Sequence, residues 1–476
     1  MPGVRVLAAA VVMALAGNAL ALGAETAAAN PDVIFHAAPK PLAAGAVTED
    51  WCAFLGPRHT GVSRETKLIK NFPAAGLKKV WEFKRGTGYA SPAVSGERLV
   101  YVHRLANEEV VECLQAETGA RFWQFKYPTA YQDRYGYNNG PRCSPMIDGD
   151  RVYIFGAAGM LHCLKLSSGD VIWKFDVNTE LHIPQNFFGV GSTPLIDGEL
   201  LIVNAGAANG QSVVAFDKLT GARRWACGEW GASYAAPIPA EIRGRHCILV
   251  FNGGDSRPPT GGLLCIDPVK GVVESSFPFR STSYESVNAV QPTVIGEQVF
   301  VTASYGAGGA LLTITPDFKQ ELAWKTTELG SHFSTVFQRG GYLYGFDGRH
   351  TQNAQLTCLD VKTGKSVWRK QLTWQEPVDV NGVAQMRNCG VGRGSLLALA
   401  GEKDGQYLCL GESGELLRLE LSPEGCVEVE RTRLFDAPEA WSPLVLSHGL
   451  LYVAQNARDL RARTEPRLIC YDLRGE

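Results

Sequence analysis

The chain has 476 residues, and its 46 Lys and Arg against 48 Asp and Glu give a formal net charge of −2. Hydrophobic residues at 45% and charged residues at 20% are ordinary globular values, so disorder as the overall state is excluded. The near-neutral balance carries no basic footprint, and no nucleic-acid partner is expected.

Residues 1–24 read as a secretory leader: Arg5 is the positive start, Val6 to Ala16 the apolar run, and Ala19-Leu20-Ala21 a small-x-small cleavage site. That run is too short to span a bilayer, and no other stretch approaches ~18 apolar residues, so the mature chain is expected to have no membrane span. The first Cys after the run is Cys52, which argues against a lipid anchor. The mature protein is therefore expected to be exported, periplasmic or extracellular, and not a lipoprotein. Residues 25–50, Ala-rich with scattered Pro, read as a mobile arm. Residues 51–76 are expected to form a preamble packing on a single domain, 77–476.

That domain is a repeat. Ser91-Pro92-Ala-Val-Ser-Gly96 returns as Ser144-Pro145-Met-Ile-Asp-Gly149, Thr193-Pro194-Leu-Ile-Asp-Gly198, Gln291-Pro292-Thr-Val-Ile-Gly296 and Ser442-Pro443-Leu-Val-Leu-Ser-His-Gly449. Weaker copies near Ala236-Pro237, Ser334-Thr335 and Gly394-Ser395 bring the total to eight. A second phrase places Trp four residues after a turn Gly: Gly119 with Trp123, Gly169 with Trp173, Gly221 with Trp225, and Gly364 with Trp368. Each copy reads as short strands joined by Gly-containing hairpins, followed by a turn such as Asp217-Lys-Leu-Thr-Gly221 and a strand bearing Trp. Four strands per unit in radial repetition predict an all-β fold, an eight-bladed β-propeller of four-stranded antiparallel blades. The last copy stops at Leu468-Ile-Cys-Tyr-Asp472, before its outer strand, while Leu77-Lys-Lys-Val-Trp81-Glu-Phe83 stands unassigned before the first. This N-terminal strand is predicted to complete the last blade and close the ring.

Cys113, Cys163, Cys265, Cys358 and Cys470 share one third-strand position in five blades. Packed sheets lie roughly 10 Å apart and disulfides need Cα atoms within about 7 Å. These Cys are therefore read as small buried hydrophobes. One bridge among the remaining Cys stays open.

Connections from each outer strand to the next inner strand gather at one end of a propeller. Here they carry Asp133, Tyr135, Asn138, Arg142, Phe188, Tyr234, Asn288 and His332, with Tyr305, Arg349 and His350 in hairpins that reach the same end. Such a face suits a polar small molecule, a glycan or an envelope protein. The same residues equally cap strands and bond loops. Asp133 beside Arg134 reads as an exposed local pair rather than a general base, and His332 reads as structural. No zinc, Walker or Rossmann motif occurs, and no catalytic residue or metal site is predicted.

The Asp-x-x-Thr-Gly-x-x-x-Trp phrase, with Ser-Pro-x-x-x-Gly at the next blade's start, resembles the pyrroloquinoline-quinone (PQQ)-like propeller superfamily. Quinoprotein alcohol dehydrogenases and the outer-membrane assembly-factor lipoprotein belong to it. Trp51-Cys-Ala-Phe54-Leu-Gly56-Pro57-Arg-His-Thr-Gly61-Val-Ser63 resembles the preamble of secreted PQQ-like repeat proteins of planctomycete and verrucomicrobial bacteria. The resemblance implies the propeller over 77–476. Unlike the dehydrogenases, the chain has no adjacent Cys-Cys pair and no alignable calcium ligand set. The expected role is a non-catalytic ligand- or protein-binding scaffold of the cell envelope without a cofactor. The alternative implied by the resemblance is a PQQ- and calcium-dependent alcohol dehydrogenase.

Overall fold

A computed structural model describes residues 27–380 and 383–476; the leader at 1–24 lies outside them. Eight four-stranded antiparallel blades form the ring, with one further strand laid on the edge of each of two of them. The inner strands are, in order, Ala93–Ser95, Met146–Asp148, Leu195–Asp197, Ile238–Ile242, Thr293–Ile295, Phe337–Arg339, Ser395–Leu399 and Val445–Ser447. In blades 1 to 7 three consecutive strands then step outward.

Blade 8 is closed from the other end of the chain, as the sequence predicts. Lys79–Lys84 pairs antiparallel with Arg467–Asp472, and Trp81 stands opposite Cys470. The same register recurs as Trp123 opposite Cys113, Trp173 opposite Cys163 and Trp368 opposite Cys358. This explains the recurring Cys: a small apolar side chain leaves room for the facing indole. None of the twelve Cys is in a disulfide.

Each indole also ties its blade to the next. Trp81 Nε1 donates to Ala116 O at 2.9 Å, Trp123 to Leu166 O at 2.8 Å, Trp173 to Lys218 O at 3.0 Å and Trp225 to Pro268 O at 2.9 Å. Trp324 and Trp368 do the same to Val361 O and Ser422 O, both at 2.8 Å. Every acceptor lies three residues before the turn Gly, or its equivalent, of the following blade. The turn itself is held by its first side chain: Asp217 Oδ1 accepts from the N–H groups of Leu219 and Thr220 at 3.0 and 2.9 Å. Where Ser275 replaces Trp in blade 4, Gln320 of blade 5 reaches back instead, donating to Ser275 O at 3.1 Å.

The Ser-Pro phrase works across blades too. Ser91 N donates to Ser144 Oγ and Ser144 N to Thr193 Oγ1, both at 3.1 Å, while Ser91 Oγ donates to Pro443 O at 2.8 Å. A small hydroxyl residue there links the starts of neighbouring inner strands.

Three segments add to the repeat. The stretch read as a mobile arm is laid against blades 1 and 8: Ala28 bridges Arg121, and Val33–Phe35 adds a fifth strand on the closing strand. An unpaired sheet edge offers free N–H and C=O groups, and low-complexity composition does not reveal that such an edge is waiting. Residues 51–63 run along the axis. Trp51 exchanges two 3.0 Å bonds with Val94 of blade 1, Cys52 O accepts from Ile147 N of blade 2, and Val62–Ser63 pairs with Ala398 and Leu399 of blade 7. Gly56 (φ +82°) turns this segment in a left-handed conformation that favours glycine, and a Cβ there would lie a tight 3.1 Å from the Trp51 ring. Finally, Thr373–Val380 and Val383–Gly390 form a two-stranded hairpin between blades 6 and 7, outside the repeat. Its base is tied down by Arg387, bonded to Glu376 at 2.7 Å and Asp436 at 2.9 Å.

Candidate functional site

All eight outer-to-inner connections contribute to one recess of ≈ 220 Å³ at the end of the axis. Its wall is aromatic. Trp441, from the connection entering blade 8, stacks on Tyr89 at 5.3 Å and meets Tyr137 at 5.7 Å and Phe333 at 5.8 Å. Tyr137 lies edge-on to Phe188 at 5.5 Å, and Phe188 packs on Tyr234 at 5.6 Å. Tyr234 Oη accepts from Phe188 N at 2.8 Å, which fixes that connection. His332 meets Phe333 at 5.3 Å and Tyr305 at 5.4 Å, and Phe54 of the axial segment completes the lining.

The two lining guanidinium groups are neutralised from behind. Arg393 donates to Glu412 Oε1 through Nη2 at 2.6 Å and Nε at 2.9 Å, and Trp441 Nε1 donates to the same oxygen at 2.7 Å. Burial works to raise the Glu412 pKa, but Arg393 and its hydrogen bonds outweigh it and hold the carboxyl below its usual range. Arg142 donates to Asp133 Oδ2 at 2.8 Å and lies 5.6 Å from the Tyr89 ring centre. His332 is pushed down to about 3 by burial, then by Arg393 and Arg349. It is therefore neutral, and Nδ1 accepts from Arg393 at 3.0 Å. The mouth is thus an aromatic recess whose charges are paired internally, suited to a flat or apolar group held by stacking.

Of the residues singled out from sequence, Arg142, Phe188, Tyr234, Tyr305 and His332 line the recess. Tyr135 stands at its rim, 5.5 Å from Phe188, and Arg349 lies exposed over Tyr305 at 4.2 Å. Asp133, Asn138 and Asn288 hold loops instead. The expected Asp133–Arg134 surface pair is not formed: the Asp133 side chain is covered, pairs with Arg142, and accepts from the N–H groups of Tyr135 and Tyr137 at 2.9 and 3.1 Å. A carboxylate that can satisfy a whole loop is worth more inside it than beside an exposed neighbour. Asn138 Oδ1 accepts from Gly140 N at 3.1 Å, and buried Asn288 donates to Asn252 O and Phe279 O at 2.7 and 3.1 Å. His350 is exposed and does not line the recess.

Sequence reasoning missed Phe54, Tyr89, Phe333, Arg393 and Trp441. Part of a signal was present: Tyr89, Tyr234 and Trp441 each stand one or two residues before the phrase that opens an inner strand.

Among the described residues no group of three or more His, Cys, Asp or Glu is placed to hold a metal ion. PQQ is a tricarboxylate and would need cationic partners as well as a calcium ligand set. With Arg142 and Arg393 already engaged by Asp133 and Glu412, the lining residues do not fit that group.

A family model described as outer membrane protein assembly factor BamB matches residues 106–370. The assembly factor BamB of Burkholderia pseudomallei is 25% identical over 312 residues, covering 64% of this chain and 72% of that protein. The crystal structure of BamB from Moraxella catarrhalis superposes with a TM-score of 0.51 at 14% identity, covering 84% of this chain and 98% of that one. The quinohemoprotein alcohol dehydrogenase of Comamonas testosteroni gives 0.57 at 12% identity, covering 90% and 81%. At these identities the structural likenesses show the fold alone.

Proposed function

Because the chain belongs to the outer membrane protein assembly factor BamB family, we propose that it is an exported, non-catalytic binding scaffold of the cell envelope that engages its partner at the connection face. One observation carries this reading: eight separate connections converge on a single aromatic recess with internally paired charges. Loops held by a rigid ring are where binding residues concentrate, and recessed aromatic residues are the usual anchors of an interface. Among the described residues no helix is long and apolar enough to cross a membrane.

Capture from solubilised envelope fractions, comparing the native protein with Trp441→Ala, tests the reading. A defined partner retained by the native protein and lost by the variant is expected; an unchanged partner set would remove the recess from consideration. Titration with PQQ and Ca²⁺, followed by absorbance and dye-linked alcohol oxidation, tests the catalytic alternative. Saturable binding with turnover would overturn the scaffold reading.

A further inference from the structure

Beside the recess, a groove of ≈ 760 Å³ runs between the connections entering blades 2, 3 and 5 and the hairpin loop of blade 4. Its chemistry differs from that of the mouth. Three rings form a strip along it: Tyr135 meets Phe187 at 5.8 Å, and Phe187 meets Tyr284 edge-on at 5.3 Å. Tyr284 is 65% exposed and Tyr135 45%, so their faces are open to a ligand.

Arg134, Arg257 and Arg280 line the same groove. Among the described residues no carboxylate oxygen lies within 4.0 Å of any of these three guanidinium groups. Arg280 is held by neutral acceptors, Ser286 Oγ at 3.3 Å and Ser286 O at 2.9 Å. Asp255 lines the groove, and Glu285 follows Tyr284, yet neither forms such a pair. Asp255 attracts Arg280 only from beyond that distance, and three cations facing one such carboxylate around one groove still repel one another. The arrangement favours an anion that would relieve the repulsion.

We infer that this groove binds an acidic saccharide, with uronate-type carboxylates on the arginines and sugar faces on the aromatic strip. Guanidinium forks match carboxylates bidentately, and exposed rings offer flat apolar faces to pyranose C–H surfaces. An acidic polypeptide is the less suited ligand. None of the three rings and three arginines lies in a strand, so an extended peptide finds no backbone edge to pair with. The inference rests on the reading that the connection face is the binding face, and it names the ligand chemistry of that face's second depression.

The test is equilibrium titration, by calorimetry, of the purified protein with tetragalacturonate, with neutral maltotetraose, and with a short poly-glutamate peptide. Tetragalacturonate is expected to bind saturably, to weaken as salt screens the charges, and to lose about tenfold in affinity in each of Arg134→Ala, Arg257→Ala and Tyr284→Ala. These three residues are exposed, and an unchanged melting temperature would show each variant intact. Maltotetraose is expected to show no saturable binding. Absence of saturable tetragalacturonate binding, or poly-glutamate binding as tightly, overturns the inference. The two readings fail separately. Trp441→Ala is expected to leave uronate binding unchanged, and Arg134→Ala to leave partner capture by the recess unchanged.

Discussion

Replacing Trp81 by Ala strikes the closure of the ring. The indole is fully buried, lies against the turn of blade 1 at Gly119, packs on Tyr452 at 5.9 Å and donates to Ala116 O at 2.9 Å. Truncating a buried Trp costs about 3–5 kcal/mol in lost transfer energy and residual cavity. Ala116 O is not orphaned, because Tyr452 Oη also donates to it at 3.1 Å, so no further penalty for an unpaired acceptor is added. Trp81→Phe keeps most of the buried area and loses one hydrogen bond, about 1 kcal/mol. Trp225, in the same role in blade 3, is only half-buried, and its truncation is expected to cost less. Against a typical total of about 5–15 kcal/mol, Trp81→Ala removes a large share of stability. Urea unfolding followed by near-UV dichroism and fluorescence should show the midpoint falling in the order Trp81→Ala, Trp225→Ala, Trp81→Phe, with unchanged slopes. A Trp81→Ala loss below about 1 kcal/mol, well under the buried-Trp range, or one no larger than that of Trp225→Ala, would refute closure by this strand.

Further outcomes follow from the same contacts. Gly221→Ala should lower the melting temperature, since φ is +73° and the new methyl would meet the Trp173 ring at 2.7 Å; left-handed strain alone costs roughly 1–2 kcal/mol. Glu412→Gln leaves Arg393 in a largely buried site without its counter-charge, an expected loss of about 3–5 kcal/mol, with a changed near-UV signal from Trp441. A native-like melt would contradict it. Acid should destabilise the fold early. His332 and His162 are depressed from 6.5 to about 3 and about 4, chiefly by burial. The unfolded chain therefore takes up these protons first, so the stability is full above about pH 6.5 and is lost as pH falls through each folded value. For His162 the shift corresponds to about 3 kcal/mol, and His162→Gln should flatten the melting-temperature profile between pH 6.5 and 4. A profile as steep as that of the native protein would show that His162 is not responsible.

The ring was legible because its devices repeat. A hydroxyl before Pro ties neighbouring inner strands, Gly turns the chain beneath an indole, and Trp reaches the next blade in six of the eight, so each re-use leaves an imprint. Trp81 and Cys470 could be matched across the chain for the same reason. The mouth is built from single-use residues. Trp441, Arg393 and Phe333 matter through where the ring places them, and nothing in their local sequence marks the partner: Arg393 and Glu412 are 19 residues apart but bonded. The hairpin at 373–390 obeys no repeat, and the axial course of 51–63 depends on inner-strand edges that exist only once the ring has closed.

The binding role of the connection face is tested most directly by where a partner touches. A photoreactive benzophenone residue placed at Tyr137, on the rim of the recess, should crosslink a defined envelope component in cells, and Trp441→Ala should abolish the adduct. The same residue at Val269, 91% exposed on an outer turn, should give none. Adducts of equal yield from both positions, or a Tyr137 adduct indifferent to Trp441→Ala, would contradict the connection face as the binding face.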